Sequence, residues 1–219
     1  MIRLDDIKNN PIVDSFARKG NEYLGILGYT EHSYRHINLV STIAYNILKE
    51  LDYPERTAEL ASIAGYMHDL GNIMNRNEHG LSGAALCFNI LINMGMHPDE
   101  VATVISAIAN HEEEHGQPIN DVAAALIMAD KSDVHRSRVR NPDFATFDIH
   151  DRVNYAVEYA FLRINKKDRI ITMDLTIDNS ICSIMEYFEI FLSRMMLCRR
   201  AATFLKCNFE LITNGSKLL

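Results

Sequence analysis

The chain has 219 residues, of which 47% are hydrophobic and 23% are charged, a composition typical of a globular protein with one domain or one domain and a small addition. Its formal net charge of −7 argues against a protein that binds duplex nucleic acid, because phosphate contacts need a basic face. Neither a membrane-spanning helix nor a signal peptide is expected, because no apolar run reaches roughly 18 residues and the N-terminus lacks an apolar core.

The first two-thirds of the chain predicts six helices in succession. Apolar residues recur at helical spacing in each of them, and prolines or glycines mark several of the ends. The predicted helices cover residues 11–27, 30–47, 54–71, 79–94, 98–111 and 122–130. Thr30 is the expected N-cap of the second helix, with Ser33 as the alternative.

The last third predicts a mixture of strands and helix. The segment RIITMDLTID alternates apolar and polar residues, and VEYAFLRI precedes it across a turn at Asn165–Asp168, which together predict a β-hairpin. A long helix follows from a cap at Ser180 to about Lys206, and a short strand at Phe209–Thr213 ends the chain.

The apolar pattern changes after the Asn141-Pro142 pair. We therefore divide the chain into a helical domain, residues 1–141, and a small α+β appendage, residues 142–219. The predicted fold class is mainly α: a helical bundle with a C-terminal α+β appendage made of a β-hairpin, a long helix and a short strand. A small sheet with exposed edges favours pairing, so the appendage is also expected to support a homodimer.

Six histidines and aspartates lie at the ends or on the inner faces of the predicted helices. In chain order they are His36, His68, Asp69, His79, His111 and Asp130. Borderline metals such as zinc, iron and manganese favour mixed sets of imidazole and carboxylate ligands. Core packing alone does not readily produce this order, so the sequence predicts a metal centre.

Asp69 is the expected bridge in a centre with two metals, because one carboxylate has two oxygens and can contact two cations. One ion would be completed by His36, His68 and Asp130, and His79 with His111 would hold the second. Two ions about 3.5–4 Å apart clamp a phosphoryl group and lower the pKa of water from roughly 15.7 to about 7. The predicted cofactor is therefore a pair of divalent metal ions (Fe, Mn, Zn, Ni or Mg).

The other candidate chemistries are weaker. The chain has neither a GxSxG elbow nor a P-loop, and none of its serines or cysteines has the signature of a nucleophile. Four histidines are assigned to core, surface or capping roles: His32, His97, His135 and His150. His115 stays open because it shares a loop with His111, and the acidic run Glu112–Glu114 is interpreted as a solvated loop.

The ordered set, with His68-Asp69 in the string AGYMHDLGN, resembles the HD superfamily of metal-dependent phosphohydrolases from about Tyr34 to Arg140. The resemblance implies an all-helical HD-domain core with metals at its centre. It carries over His36, His68, Asp69 and Asp130 as the shared ligands.

The stretch ADKSDVHRSR is also similar to the family, and it suggests Lys131, Arg136 and Arg138 as contacts for the substrate phosphate. Asp69 and Lys131 are then the expected catalytic residues. These assignments follow from the resemblance.

Two subfamilies are similar in particular motifs. His79 in HGLSGA and His111 in IANHE resemble the extra histidines of the bacterial HD-type diadenosine tetraphosphate hydrolases, which are dinuclear. NHEEEHGQP is distantly similar to the HHExxDGxGYP segment of the HD-GYP cyclic-di-GMP phosphodiesterases. That segment is degenerate here, since Asn110 replaces its first histidine and the GYP is missing. Asn72 likewise stands where the HDxGK motif has lysine.

The sequence thus predicts a metal-dependent phosphohydrolase that cleaves a phosphate ester or anhydride of a small, nucleotide-like substrate with metal-activated water. Scattered cysteines without a CxxC pair predict reduced thiols and a cytoplasmic location. Two alternatives stay open. One is a mononuclear 5′-nucleotidase that uses only the four shared ligands, and the other is a non-catalytic signalling or scaffold module that binds a ligand or partner.

Overall fold

A computed structural model describes all 219 residues, and helices make up most of it. The helices are α1 (Leu4–Lys8), α2 (Pro11–Ile26), α3 (Tyr34–Glu50), α4 (Glu55–Met67), α5 (His79–Asn93), α6 (Pro98–Ala109), α7 (Asp121–Ser132), α8 (Ile149–Ala156) and α9 (Ile184–Phe204). Short 3-10 helices lie at Leu70–Ile73, Arg136–Arg138 and Phe144–Thr146. The strands are β1 (Val157–Asn165), β2 (Ile170–Ile177), β3 (Asn208–Thr213) and β4 (Ser216–Lys217). The predicted fold class, a mainly α bundle with a small C-terminal α+β part, is confirmed.

The N-terminal caps of α3 and α9 differ from the predicted ones. Ser33, the alternative, caps α3, and its side chain accepts a hydrogen bond from the backbone N–H of Arg35. Thr30 is therefore not the cap. Ser183 caps α9 in place of Ser180 and forms a capping box with Glu186. Both true caps have the extended backbone that an N-cap needs.

The appendage contains one mixed sheet in the order β1-β2-β3-β4. The predicted hairpin is present, with β1 antiparallel to β2, while β3 lies parallel to β2 after the crossover through α9. The chain does not end at β3. Asn214 and Gly215, both with positive φ, form a tight turn into β4, as two-residue hairpin turns require.

Helix α7 occupies the middle of the molecule and packs against α3, α4, α6 and α9. Its residues are buried almost throughout, and one cluster of 52 buried hydrophobic residues extends from the helical bundle into the appendage. The boundary at 141/142 stays a prediction. The continuous core means that α9 and the bundle fix each other's positions.

Helices α3 and α4 pack so closely that their backbones are in contact. The hydroxyl of Ser41 donates to the carbonyl of Ser62 at 2.8 Å, and a Cβ added at Gly65 would lie 2.9 Å from the Cα of Ser41. This close packing holds the ligand-bearing ends of the two helices together. None of the helices combines the length and apolar character that crossing a bilayer requires.

Candidate metal centre

Five helices bring their ends to one point inside the bundle. His36 lies in the first turn of α3, His68 and Asp69 follow α4, His79 begins α5, His111 follows α6, and Asp130 lies in the last turn of α7. All six predicted ligands therefore converge. Five of them are no more than 9% exposed, so the point where they meet is buried inside the bundle.

Four of these residues form the first group. The Nε2 atom of His36 lies 3.2 Å from Nε2 of His68, 3.5 Å from Oδ2 of Asp69 and 3.4 Å from Oδ1 of Asp130. The Nε2 atom of His68 lies 3.4 Å and 3.6 Å from the same two oxygens. Ligand bonds of about 2.0–2.2 Å at tetrahedral or octahedral angles separate ligand atoms by about 2.8–3.6 Å. The ligand atoms of His36, His68 and Asp130 therefore fit around one ion, and Oδ2 of Asp69 lies beside the two imidazoles.

The second group begins at the other oxygen of Asp69. Its Oδ1 lies 3.4 Å from Nε2 of His79, which in turn is 3.1 Å from Nε2 of His111. Oδ2 of Asp69 is buried and has no hydrogen-bond partner. A buried carboxylate oxygen without a partner is costly unless a cation meets it. Asp69 thus has the geometry of a bridging ligand.

The four histidines all direct Nε2 toward the centre because Nδ1 is held on the opposite side. Each Nδ1 has an acceptor outside the centre, so in the neutral ring the proton lies on Nδ1 and the Nε2 lone pair faces the centre. The acceptors are the carboxylate of Asp133 for His36 (2.7 Å), the carbonyl of Gly65 for His68 (2.8 Å), that of Arg76 for His79 (3.0 Å) and that of Ile108 for His111 (2.6 Å).

The electrostatics of the centre favour metal ligation. Burial by itself raises the pKa of Asp130, but the Lys131 ammonium and the neighbouring imidazoles hold that pKa well below its usual range. Burial, together with the nearby imidazoles, lowers the pKa of His111 to about 3 and keeps its ring neutral. Burial opposes charge on His36 too, yet three surrounding carboxylates raise its pKa to about 10. The centre therefore attracts positive charge, as a proton or as a divalent cation.

The guanidinium groups of Arg138 and Arg136 both have partners within the protein. Its side chain is 6% exposed, and its guanidinium donates to the backbone carbonyls of Asp133 and Glu31 at 2.7–3.1 Å. Arg136 pairs with Glu158 at 2.9 Å, on the side of strand β1. The donors of Arg138 thus hold the segment after α7 against the segment before α3, and Arg136 contacts a strand residue. The phosphate contacts assigned to both arginines stay a prediction.

Lys131 is likewise turned inward. Its ammonium donates to Oδ2 of Asp130 at 2.6 Å and pairs with Glu113 at 3.2 Å, and its side chain is only 5% exposed. This position suits a group that orients Asp130. The phosphate contact and the catalytic role assigned to Lys131 stay predictions.

Several residues near the centre were not predicted. Arg76 brings Nη1 to 3.4 Å from Nε2 of His79 and 3.9 Å from Oδ1 of Asp69, and its side chain is 29% exposed. Glu112, interpreted as a solvated residue, contacts Nδ1 of His79 at 3.2 Å. His32, assigned to a core or surface role, is buried with its ring 5.5 Å from that of His36. The adjacency of Glu112 to His111 was the one available signal.

The other histidines lie away from the centre. His97 caps α6 as expected, since its Nδ1 accepts from the backbone N–H of Asp99 at 3.4 Å. His135 caps a 3-10 helix and contacts the carbonyl of Glu158. The side chain of His115 is 80% exposed, so sharing a loop with His111 does not bring it to the centre.

Comparison with known proteins gives two matches. A family model described as the HD domain matches residues 30–135, which include all six converging ligands. The chain is also similar to Uncharacterized protein MJ1020 of Methanocaldococcus jannaschii, with 28% identity over 170 residues. That match covers 67% of this chain and 65% of the relative, so the chain spans less than two-thirds of the relative's length. The resemblance to diadenosine tetraphosphate hydrolases stays a prediction.

Proposed function

Because the chain belongs to the HD-domain superfamily, we propose that it is a phosphohydrolase with two divalent metal ions bridged by Asp69. The observation that supports this most is that the two oxygens of Asp69 face two different sets of imidazoles. The mononuclear alternative leaves unexplained why Nε2 of His79 and of His111 point to the same side of Asp69.

The roles of the residues follow from their positions. Divalent ions bound here would lower the pKa of water from roughly 15.7 to about 7 and bind phosphoryl oxygens. Asp69 and Asp130 supply the negative charge, and the four imidazoles supply neutral donors whose rings are fixed through Nδ1. Burial of these side chains excludes bulk water and strengthens each electrostatic contact.

The substrate class is inferred from the rim of the centre. Arg76 is partly exposed beside Asp69, and its guanidinium matches the geometry of a phosphate. The ring of Tyr29 lies 5.9 Å from this guanidinium and is partly exposed, so it offers an aromatic face on which a base can stack. We therefore propose a phosphate ester or anhydride of a small, nucleotide-like molecule.

A metal-reconstituted activity screen over nucleotides, dinucleotides and cyclic dinucleotides tests this proposal. We expect hydrolysis of at least one phosphate ester or anhydride. If the protein binds metal but hydrolyses none of them, the signalling or scaffold alternative is favoured. A cytoplasmic location and a homodimer through the appendage remain parts of the proposal, and four free, buried cysteines are compatible with the former.

We expect His79→Ala and His111→Ala each to remove one of the two ions and to leave the ion at His36 and His68 in place. The physical reason is that His79 contacts Oδ1 of Asp69 and His111 adjoins His79, whereas His36 lies beside Oδ2. Elemental analysis should give about one metal per chain for each variant against two for the wild type. His115→Ala, in the same loop but exposed, is the matched control. A wild-type protein that saturates at one ion would contradict this prediction.

Replacing Arg76 by alanine should reduce kcat/KM by about 10- to 150-fold, since a hydrogen bond to a charged group contributes about 1.5–3 kcal/mol. At saturating metal the metal content should stay unchanged, because Arg76 supplies no ligand atom and its removal takes away only an outer contact of His79. Arg76→Lys should recover part of the loss, and Arg18→Ala, at an exposed position of α2, should change nothing. Loss of metal in Arg76→Ala, or wild-type kcat/KM, would rule out the assigned role.

A further inference from the structure

A series of ion pairs, the α9 ion-pair network, connects the metal centre to helix α9. Lys131 donates to Oδ2 of Asp130 at 2.6 Å and pairs with Oε2 of Glu113 at 3.2 Å. Oε1 of Glu113 accepts from Nε of Arg194 at 2.9 Å. The charges alternate in sign, and the four residues come from α7, the loop after α6, and α9.

The contacts in the α9 ion-pair network are shielded from solvent. The side chains of Lys131, Glu113 and Arg194 are 5%, 24% and 18% exposed. The guanidinium of Arg194 also lies over the ring of Phe191, 4.1 Å from its centroid, and Phe191 is buried in the core. Partly buried pairs are screened less than surface pairs, and the cation–π contact holds Arg194 in one position.

The α9 ion-pair network determines which carboxylate oxygen of Asp130 is available to bind a metal ion. Because Lys131 occupies Oδ2, Oδ1 is left to face His36 and His68 at 3.4 Å and 3.6 Å. Glu113 neutralises the buried ammonium of Lys131, and Arg194 holds Glu113 in place. Removing Arg194 would free Glu113 to turn toward solvent and would leave Lys131 without its second partner.

We infer that Arg194 is a positioning residue for the metal centre, acting through Glu113 and Lys131 on the carboxylate of Asp130. The inference rests on the metal centre of the proposed function and extends it to the appendage. Helix α9 contributes no ligand, but it completes the outer support of the ion held by His36, His68 and Asp130. Outer partners of metal ligands typically change metal affinity by about 10- to 100-fold.

The test uses the full-length protein and Co²⁺, whose visible spectrum reports the ligand geometry. Arg194→Met keeps the length and the packing on Phe191 but removes the charge, and Arg194→Lys keeps a cation. Arg199→Met, at an exposed position of the same helix, is the control. We expect Arg194→Met to bind the first Co²⁺ about 10-fold more weakly with a shifted spectrum, Arg194→Lys to recover most of this, and the control to match the wild type.

A double-mutant cycle with Glu113→Gln separates positioning from a general loss of stability. The double variant should bind Co²⁺ no more weakly than the worse single variant, because both substitutions interrupt the same α9 ion-pair network. Additive effects, or wild-type affinity and spectrum in Arg194→Met, would overturn the inference. If Arg194→Met does not fold, Glu113→Gln alone decides in the same way. A wild-type protein that binds no Co²⁺ would instead overturn the proposed function.

Discussion

Asp69→Asn is expected to lower hydrolysis by at least about 10³-fold and to reduce the metal content from two ions to one or none. The substitution keeps the size of the side chain but removes the negative charge and one of the two oxygens that face the imidazole groups. Loss of an outer partner alone costs about 10- to 100-fold, and loss of a bridging ligand should exceed that range. Elemental analysis and the hydrolysis rate of the reconstituted variant measure the two effects.

Asp99→Asn is the matched control for this variant. The side chain of Asp99 is 94% exposed in the first turn of α6, so its metal content and rate should equal those of the wild type. Circular dichroism should show that Asp69→Asn remains folded. A folded Asp69→Asn protein that keeps two ions would contradict the bridging role.

Gly71→Ala is expected to destabilise the fold by about 3 kcal/mol or more, within or above the usual range for overpacking. A Cβ at Gly71 would overlap the carbonyl oxygen of His79 and lie 2.6 Å from the backbone nitrogen of Gly83. The 3-10 helix Leu70–Ile73 and α5 would have to move apart. For a chain of this size, thermal unfolding should show Tm lowered by about 6–12 °C.

The same movement should weaken the second ion, because it separates Asp69 from His79 at the start of α5. Gly25→Ala is the control for chain flexibility, since its Cβ would meet only the flexible end of Arg140, at 3.0 Å. If Gly71→Ala unfolds at the wild-type Tm with both ions bound, the backbones of the 3-10 helix and α5 are not in the close contact described above.

The structure revises the role of the appendage. The sequence predicts a binding or dimerisation element. That prediction stays, because the sheet has an exposed edge on which another strand can pair. Packing of α9 against α7, however, links a charged side chain through three successive ion pairs to the predicted ligand Asp130. Removal of the appendage would therefore disturb the centre as well as any assembly.

The sequence by itself predicted the candidate ligand set and determined most of the helices. Imidazole and carboxylate chemistry belongs to residue identity, and the ends of α5 and α6 follow from local signals such as the cap at His97 and the proline after it. The hairpin β1–β2 was equally local, because alternation and a short turn specify it. These features depend on neighbours only a few residues away.

Tertiary structure alone decided which charged groups serve the centre. Glu113 and Arg194 are separated by 81 residues, and no local pattern indicates that they meet. The sequence suggests Arg138 as a phosphate contact, yet packing buries its guanidinium against the backbone carbonyls of Asp133 and Glu31. The direction of a side chain at a loop or on a helix depends on what packs against it, and that is set by contacts between distant segments.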